Sequence, residues 1–300
     1  LACSQTSENS AQSSSSNLLA DKTIIDLSLS FDEETVYWVT AKEFADVINT
    51  DGSETETVVE PLTNYLVGRV QQDFNDRNSY IGGIFTSTIR NMDENVSFLH
   101  SHAYSGGIDF QHNWKERTYY IEGSAVLSNV RGSAEAITRT QNSITHLFQR
   151  VDADHVEVDP TRTQLTGSGG RFEFGKGGGG DWRYAIGGNF KSPELELNDT
   201  GFLRQADDIR QYAVVRRLFN KPTSWYRRAN ARVNISTAYD FQGNFNRIQY
   251  EVGGFINWKN NWFSDFGAAH KPRIFINTFL RGGPRWKYNE ENFFLFIFQG

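Results

Sequence analysis

The chain from Ala229 to Trp258 alternates between apolar and polar positions. In its first half, one set of alternate positions carries Ala229, Ala231, Val233, Ile235, Thr237 and Tyr239, and most positions between them are polar. After a turn at residues 242–244, the alternate positions carry Ile248, Tyr250, Val252, Gly254, Ile256 and Trp258. A period of two predicts strands with one apolar face, and the turn makes them an antiparallel hairpin.

Each predicted strand is about 11 residues long, more than is usual in soluble proteins and enough to cross a bilayer at a tilt. A soluble sandwich or meander also alternates, so one hairpin does not decide the class. The pattern recurs in segments 62–72, 79–90, 108–114, 119–128, 163–175, 182–190, 209–219, 262–270, 273–281 and 293–298. These roughly a dozen strands, mostly joined by short turns, predict an all-β, antiparallel up-and-down transmembrane β-barrel or partial barrel.

Residues 133–150 depart from this period. Their spacing gives a loose helical stripe, at Ala134, Ile137, Gln141, Ile144, Leu147 and Phe148. We therefore predict a short helix within a long loop. Near the turn at residues 115–117, Trp114 and Tyr119 are placed as in an interfacial aromatic girdle.

The composition agrees with strands that are polar on alternate residues. The mean hydropathy is −0.54, and no apolar run reaches the length of about 18 residues that a membrane-spanning helix needs. The formal charge of −6 argues against nucleic acid as a partner. The chain has a single cysteine, which leaves no disulfide framework and no cysteine-based zinc site.

That cysteine, Cys3, follows Leu1 and Ala2 and precedes a polar, serine-rich stretch. This order resembles the end of a bacterial lipobox, its acylated cysteine and a flexible tether. The resemblance implies lipid attachment at Cys3 and a linker over residues 1–20. The alternative is a chance Leu-Ala-Cys sequence at the start of the chain.

A second resemblance lies in residues 21–44. Ile25-Asp26-Leu27-Ser28, followed by Tyr37-Trp38, is similar to the opening of the cyclase family that includes kynurenine formamidase. That family holds a catalytic metal in a His-x-Gly-Thr-His-x-Asp-x-Pro-x-His motif, which this chain lacks. We therefore predict no enzymatic activity. The resemblance implies a cyclase-like segment over residues 21–48, and the composition of residues 45–60 predicts a linker or junction there.

A third resemblance covers most of the remaining chain. Segments 151–167, 192–212, 247–263 and 271–286 are similar to a C-terminal barrel domain of unknown function that follows a family 9 carbohydrate-binding-like domain in bacterial outer-membrane proteins. This implies an outer-membrane barrel domain over residues 49–300. It also implies a carbohydrate-binding-like domain before it and a barrel that continues beyond Gly300, so that the domain is truncated here.

Two groups of charged residues are candidate sites. Four acidic residues offer oxygen ligands for a hard cation such as Ca²⁺: Asp152, Asp154, Glu157 and Asp159. They lack the calcium-loop spacing, so we favour a solvated or lumen-lining role and predict no bound metal or cofactor. Charge ladders inside a lumen are predicted from Arg216, Arg217, Arg227, Arg228, Asp207 and Asp208, and above all from Arg232, Asp240, Arg247 and Glu251.

Together these patterns predict a non-catalytic bacterial outer-membrane protein with a channel, transport or surface-assembly role. Its expected partners are outer-membrane lipid and, by family resemblance alone, glycans or other envelope proteins. One alternative is a cyclase-type lipoprotein hydrolase, which the missing metal motif opposes. A second alternative is a soluble β-rich binding module.

Overall fold

A computed structural model of the chain describes residues 32–300. It contains one α-helix, α1 (Ala134–Gln141), and a 3₁₀ turn at Glu94–Val96. The strands are β1 (Asp32–Thr40), β2 (Glu43–Ile48), β3 (Glu54–Glu60), β4 (Thr63–Phe74), β5 (Ser79–Arg90), β6 (His100–Trp114), β7 (Tyr119–Gly132), β8 (Gln164–Lys176), β9 (Trp182–Lys191), β10 (Asp208–Phe219), β11 (Tyr226–Tyr239), β12 (Phe245–Trp258), β13 (Phe263–Ile276), β14 (Trp286–Tyr288) and β15 (Glu291–Gln299).

All strands except β2 and β3 form one antiparallel sheet of 13 strands. From β4 to β13 each strand pairs with the next one along the chain, and β1 pairs with β4. The predicted all-β antiparallel architecture with one short helix is confirmed. The sheet is open: one edge is β1, and the other consists of β14 and β15, which lie end to end along β13. No pairing among the described strands joins the two edges.

The two faces of the sheet differ in chemistry. Cross-strand partners point to the same side of the sheet, so each row of partners belongs to one face. One row of partners across six strands is almost wholly apolar: Tyr184, Val215, Val233, Val252, Ala268 and Phe294. Within residues 32–300 no layer covers this row, and Val233 and Val252 are 58% and 55% exposed. We call this side the apolar face and the opposite side the polar face.

The connections between strands are unequal at the two ends of the sheet. Short turns lie at one end, at residues 75–78, 115–118, 177–181, 220–225 and 259–262. The two longest connections, loop 133–163 and loop 192–207, leave from the other end. Five of the seven tryptophans lie at the short-turn end: Trp114, Trp182, Trp225, Trp258 and Trp262.

Two predicted segments differ from the structure. Residues 262–281, predicted as two strands, contain one strand, β13, which runs through Pro272. A register shift in the β12 pairing, between Ile248 and Tyr250, falls opposite this proline, so its missing N–H leaves no ladder bond unmade. Residues 45–60, predicted as a linker, lie mostly in the β2–β3 hairpin, whose turn is held by hydrogen bonds from Ser53 to Asp51.

β1 belongs to the same sheet as the strands that follow it, with Trp38 stacked on Tyr65 of β4 at a ring distance of 5.0 Å. Within residues 32–300, no helix is both long and apolar enough to cross a lipid bilayer.

Candidate functional site

Ion pairs link the strands on the polar face. Arg69 on β4 donates to both carboxylate oxygens of Asp109 on β6, at 2.9 and 3.0 Å. Arg171 on β8 lies 2.8 Å from Glu122 on β7 and 3.2 Å from Glu173 on its own strand. Two hydroxyls also donate to Glu173, those of Tyr120 and Tyr212. The polar face therefore carries groups of charged and hydroxyl side chains that connect neighbouring strands.

An arginine row crosses the polar face nearer the short-turn end. Arg183, Arg216 and Arg232 are direct cross-strand partners on β9, β10 and β11. None of these three arginines makes an ion pair with the described residues of the chain, whose polar-face ion pairs involve other side chains. Three positive charges therefore lie directly opposite one another, where they repel. This local excess of positive charge favours the binding of anions.

Loop 133–163 packs on the polar face through α1. Ser133 caps this helix, its hydroxyl accepting from the Ala136 amide at 3.0 Å. Apolar side chains of the loop and sheet form one buried cluster: Ala103, Val130, Ile137, Phe148 and Leu165. Gln141, fully buried, exchanges two hydrogen bonds with the backbone of Asp159 and so closes the loop on itself.

Loop 192–207 lies beside it on the same face. Leu195 is buried with Leu203 and Ala206, and Val126 of β7 packs against this group. A Cβ added to Gly167 of β8 would lie 2.1 Å from the Leu195 nitrogen, so only glycine permits this approach. The Ser128 hydroxyl accepts from the Glu196 amide at 3.0 Å, which fixes the loop to β7.

Arg150 joins both loops to the hairpin between β11 and β12. Its side chain is 3% exposed and lies 3.6, 3.5 and 3.7 Å from carboxylate oxygens of Asp152, Asp207 and Asp240. Asp207 also contacts His155 at 2.9 Å. The buried guanidinium of Arg150 thus compensates the negative charge of several carboxylates from both loops and from the β11–β12 turn, and the packing of the loops depends on this one cation.

A second ion-pair cluster holds loop 192–207 to the strand ends. Asp199 lies 2.6 Å from Arg90 and 2.9 Å from His100, and the other ring nitrogen of His100 contacts the Thr140 hydroxyl of α1 at 2.7 Å. Burial acts to raise the pKa of Asp199, but His100 and Arg90 outweigh burial and hold that pKa below its ordinary value.

His146 is a buried neutral histidine between the two loops. Its Nε2 lies 3.0 Å from the carbonyl oxygen of Leu195, which only accepts, so Nε2 carries the proton. Nδ1 then accepts from the Ser143 hydroxyl at 3.1 Å. Burial lowers the pKa of His146 to about 4, and burial raises the pKa of the neighbouring Glu196 carboxyl.

Residues 36–282 match the model of a family described as Domain of unknown function (DUF5916). The chain belongs to this family. The description assigns neither an activity nor a ligand to DUF5916. No curated protein matches the chain in sequence.

The DUF5916 structure places three of the predicted lumen residues on the polar face. Arg232 lies in the arginine row, Arg247 is half-buried, and Glu251 accepts from Asn234 at 3.1 Å. Asp240 is fully buried instead, where it accepts from the Asn244 amide at 2.8 Å and faces Arg150. Arg217, also predicted for the ladders, lies on the apolar face against the rings of Trp182 and Phe219.

The four acidic candidates for a cation do not converge in the DUF5916 structure. Asp152 accepts from Arg285, Asp154 accepts from Gln242, and Asp159 accepts from Thr161. Across residues 32–300, no group of three or more metal-ligating side chains is assembled. Cys3 and the cyclase-like residues Ile25 to Ser28 lie outside the described residues.

Sequence reasoning missed the loop contacts of this DUF5916 chain. His100 and Asp199 are separated by 99 positions, and Arg285 reaches Asp152 across 133 positions. No local pattern encodes such pairings. The one available indication was the presence of apolar residues and histidine in loops that were expected to be polar, since unpartnered loops rarely keep such residues at the surface.

Proposed function

We propose that this DUF5916 chain is a non-catalytic β-barrel protein of the bacterial outer membrane. In this proposal the apolar face contacts lipid, and the polar face lines an aqueous pathway. The observation that carries the proposal is the exposed apolar row on one side of the sheet, directly opposite a network of charged side chains. Soluble proteins cover apolar sheet faces with a second layer, whereas lipid-facing strands leave them bare.

Two further features support this proposal. Short turns at one end and long loops at the other are typical of outer-membrane barrels. Aromatic side chains lie together at the short-turn end. The ring centroids of Trp225 and Trp258 are 5.6 Å apart, and those of Trp262 and Phe298 are 4.7 Å apart. Such positions suit an interfacial girdle.

The proposal includes closure of the sheet, because an open edge in lipid would leave backbone groups without hydrogen bonds. Within the barrel, loops 133–163 and 192–207 occupy the polar face and act as an internal plug. The pathway favours anions, since the arginine row adds positive charge and makes no ion pair within the part of the chain that the structure describes. A channel or transport role follows, and glycans and other envelope proteins stay predicted partners.

Lipid contact is tested by a matched pair of adjacent labels. In a Cys3→Ser background, Val233→Cys and Asn234→Cys each carry an environment-sensitive fluorophore, and the protein is reconstituted with phospholipids brominated in their acyl chains. We expect strong quenching at position 233 and little at position 234, because the two side chains leave the strand on opposite faces.

Equal quenching at both positions would contradict the proposal. Val252→Cys and Glu251→Cys repeat the comparison on the neighbouring strand. A chain that folds and stays monomeric in plain buffer, with no preference for detergent micelles, would favour a soluble binding module instead.

A further inference from the structure

A cavity of about 410 Å³ opens on the polar face beside β13 and β14. Its floor is one row of cross-strand partners in which Ala238 separates Arg210 from Arg247. The small alanine side chain leaves room between the two guanidinium groups. Gln205 of loop 192–207 and Asn277 after β13 line its sides.

Several buried polar atoms of the side chains that line this cavity have no hydrogen-bond partner among residues 32–300. The Nε of Arg247 and the Oδ1 of Asn277 are both buried and unpartnered, and Asn277 is 6% exposed. Unpaired buried donors and acceptors are costly, so an unpaired donor and an unpaired acceptor in two side chains that line one cavity indicate a ligand that satisfies both.

Charge defines one end of that ligand. Asp208 already lies 2.8 Å from Arg210 and 3.5 Å from Lys191, and Lys271 lies 2.6 Å from Glu291. Arg247 makes no ion pair within 4 Å in the described part of the chain. The lining therefore has one cation in excess, placed where a guanidinium can hold two oxygens of a carboxylate or phosphate.

We propose that this cavity binds a small organic oxyanion, a carboxylate or a phosphate, that carries hydroxyl groups along its chain. The oxyanion accepts from Arg247, and a hydroxyl donates to the Asn277 oxygen. Phe275, Phe279 and Tyr288 enclose the carbon chain. This site needs only the folded sheet, so it does not depend on the lipid contact proposed for the opposite face.

Isothermal titration calorimetry on the full chain in detergent micelles tests this with matched six-carbon probes: gluconate, sorbitol 6-phosphate, hexanoate and sorbitol. We expect binding of gluconate, of sorbitol 6-phosphate or of both, and the stronger of the two identifies the oxyanion. Hexanoate lacks the hydroxyls and sorbitol lacks the charge, so each should bind at least about tenfold more weakly.

Arg247→Gln should weaken gluconate binding at least about tenfold, because it removes a charge-assisted hydrogen bond. Asn277→Leu should weaken gluconate binding and leave hexanoate binding unchanged. Arg131→Gln is the control, since it removes one positive charge outside the cavity. Circular dichroism confirms the fold of each variant.

The proposal is overturned if the folded wild type binds neither oxyanion, or if sorbitol or hexanoate binds as tightly as gluconate. It is also overturned if Arg247→Gln keeps wild-type affinity. If that variant does not fold, the wild-type comparison of gluconate with sorbitol and the Asn277→Leu variant decide. None of these readouts involves insertion into lipid, so they fail or succeed separately from the proposed function.

Discussion

Two side chains of loop 133–163 show how burial changes the role of an ionisable residue. The side chains of His146 and Arg150 are 0% and 3% exposed. His146 is neutral and joins two loops by hydrogen bonds, whereas Arg150 is a cation among carboxylates. The first therefore makes loop packing sensitive to pH, and the second makes it sensitive to the loss of one charge.

The stability of the loops should fall as the pH drops from 6.5 to about 4. His146 has a lowered pKa in the fold, so within this window the detached loop binds a proton and the packed loop does not. The full effect is about 3 kcal/mol, with Glu196 acting in the opposite direction because burial raises its pKa. Hydrogen exchange of residues 142–150 across this pH range measures it.

His146→Gln should remove this part of the pH dependence, since the amide keeps a donor for Leu195 and an acceptor for Ser143. His270→Gln, which changes an exposed histidine on β13, is the control. Identical pH profiles for the wild type and His146→Gln would show that another group governs the loops.

Arg150→Gln should destabilise the loop packing by about 3 kcal/mol, because it leaves Asp207 and Asp240 buried without their cation. Arg162→Gln breaks a half-exposed pair with Glu194 and should cost less than about 1 kcal/mol. Urea unfolding in micelles, followed by hydrogen exchange of both loops, compares the two variants. Equal costs would contradict a central role for Arg150.

At the scale of elements, strands and loops meet through close backbone approach. Gly167 on β8 lets the backbone of Leu195 lie directly on the strand, and the amide of Ser192 donates to the carbonyl of Ser168 at 2.8 Å. The position of loop 192–207 therefore depends on the absence of one side chain.

Gly167→Ala should lift loop 192–207 from the sheet and cost about 1 to 3 kcal/mol, because the new methyl group overlaps the loop backbone. Gly177→Ala is a matched control: its Cβ would meet Tyr120 at an ordinary 3.6 Å. Hydrogen exchange of residues 192–207 should rise in the first variant only. Unchanged protection in Gly167→Ala would mean that the loop packs without this contact.

At the scale of the whole molecule, the sheet presents chemically different surfaces on its two sides. Arg216 and Arg217 are neighbours on β10 that point to opposite faces. Arg216 lies in the arginine row, and Arg217 lies against aromatic rings on the apolar face. Substituting one or the other arginine therefore distinguishes the effect of a charge inside the proposed pathway from the effect of the net charge of the molecule.

Arg216→Glu should reduce the permeability of chloride relative to potassium severalfold in planar bilayers, because it reverses a charge inside the proposed pathway. Arg217→Glu changes the net charge equally and should leave the permeability ratio unchanged. Reversal potentials in a salt gradient give the ratio. Equal shifts in both variants would place the arginine row outside the conducting path.

Much of the sheet could be predicted from alternation alone, because the period of two reports directly on the strand pleat. The hairpin of Val233 and Val252 pairs in the register that its apolar positions require. The alternation predicted two strands, 262–270 and 273–281, where the structure has β13 continuing through Pro272, since a bulge that accommodates a proline depends on the partner strand. Likewise, Arg232 could be placed on the polar face by its position in a strand, whereas the burial of Asp240 could not.

The amino-acid sequence by itself determined which side chains of a strand share a face, where most turns between the long strands lie and where α1 forms, because these features depend on neighbours a few residues apart. Tertiary structure alone decided how loops 133–163 and 192–207 lie on the polar face, which carboxylates surround Arg150, and that a cavity forms around Arg247. Those features join residues far apart along the chain, and burial and charge act between them only after the sheet has brought them together.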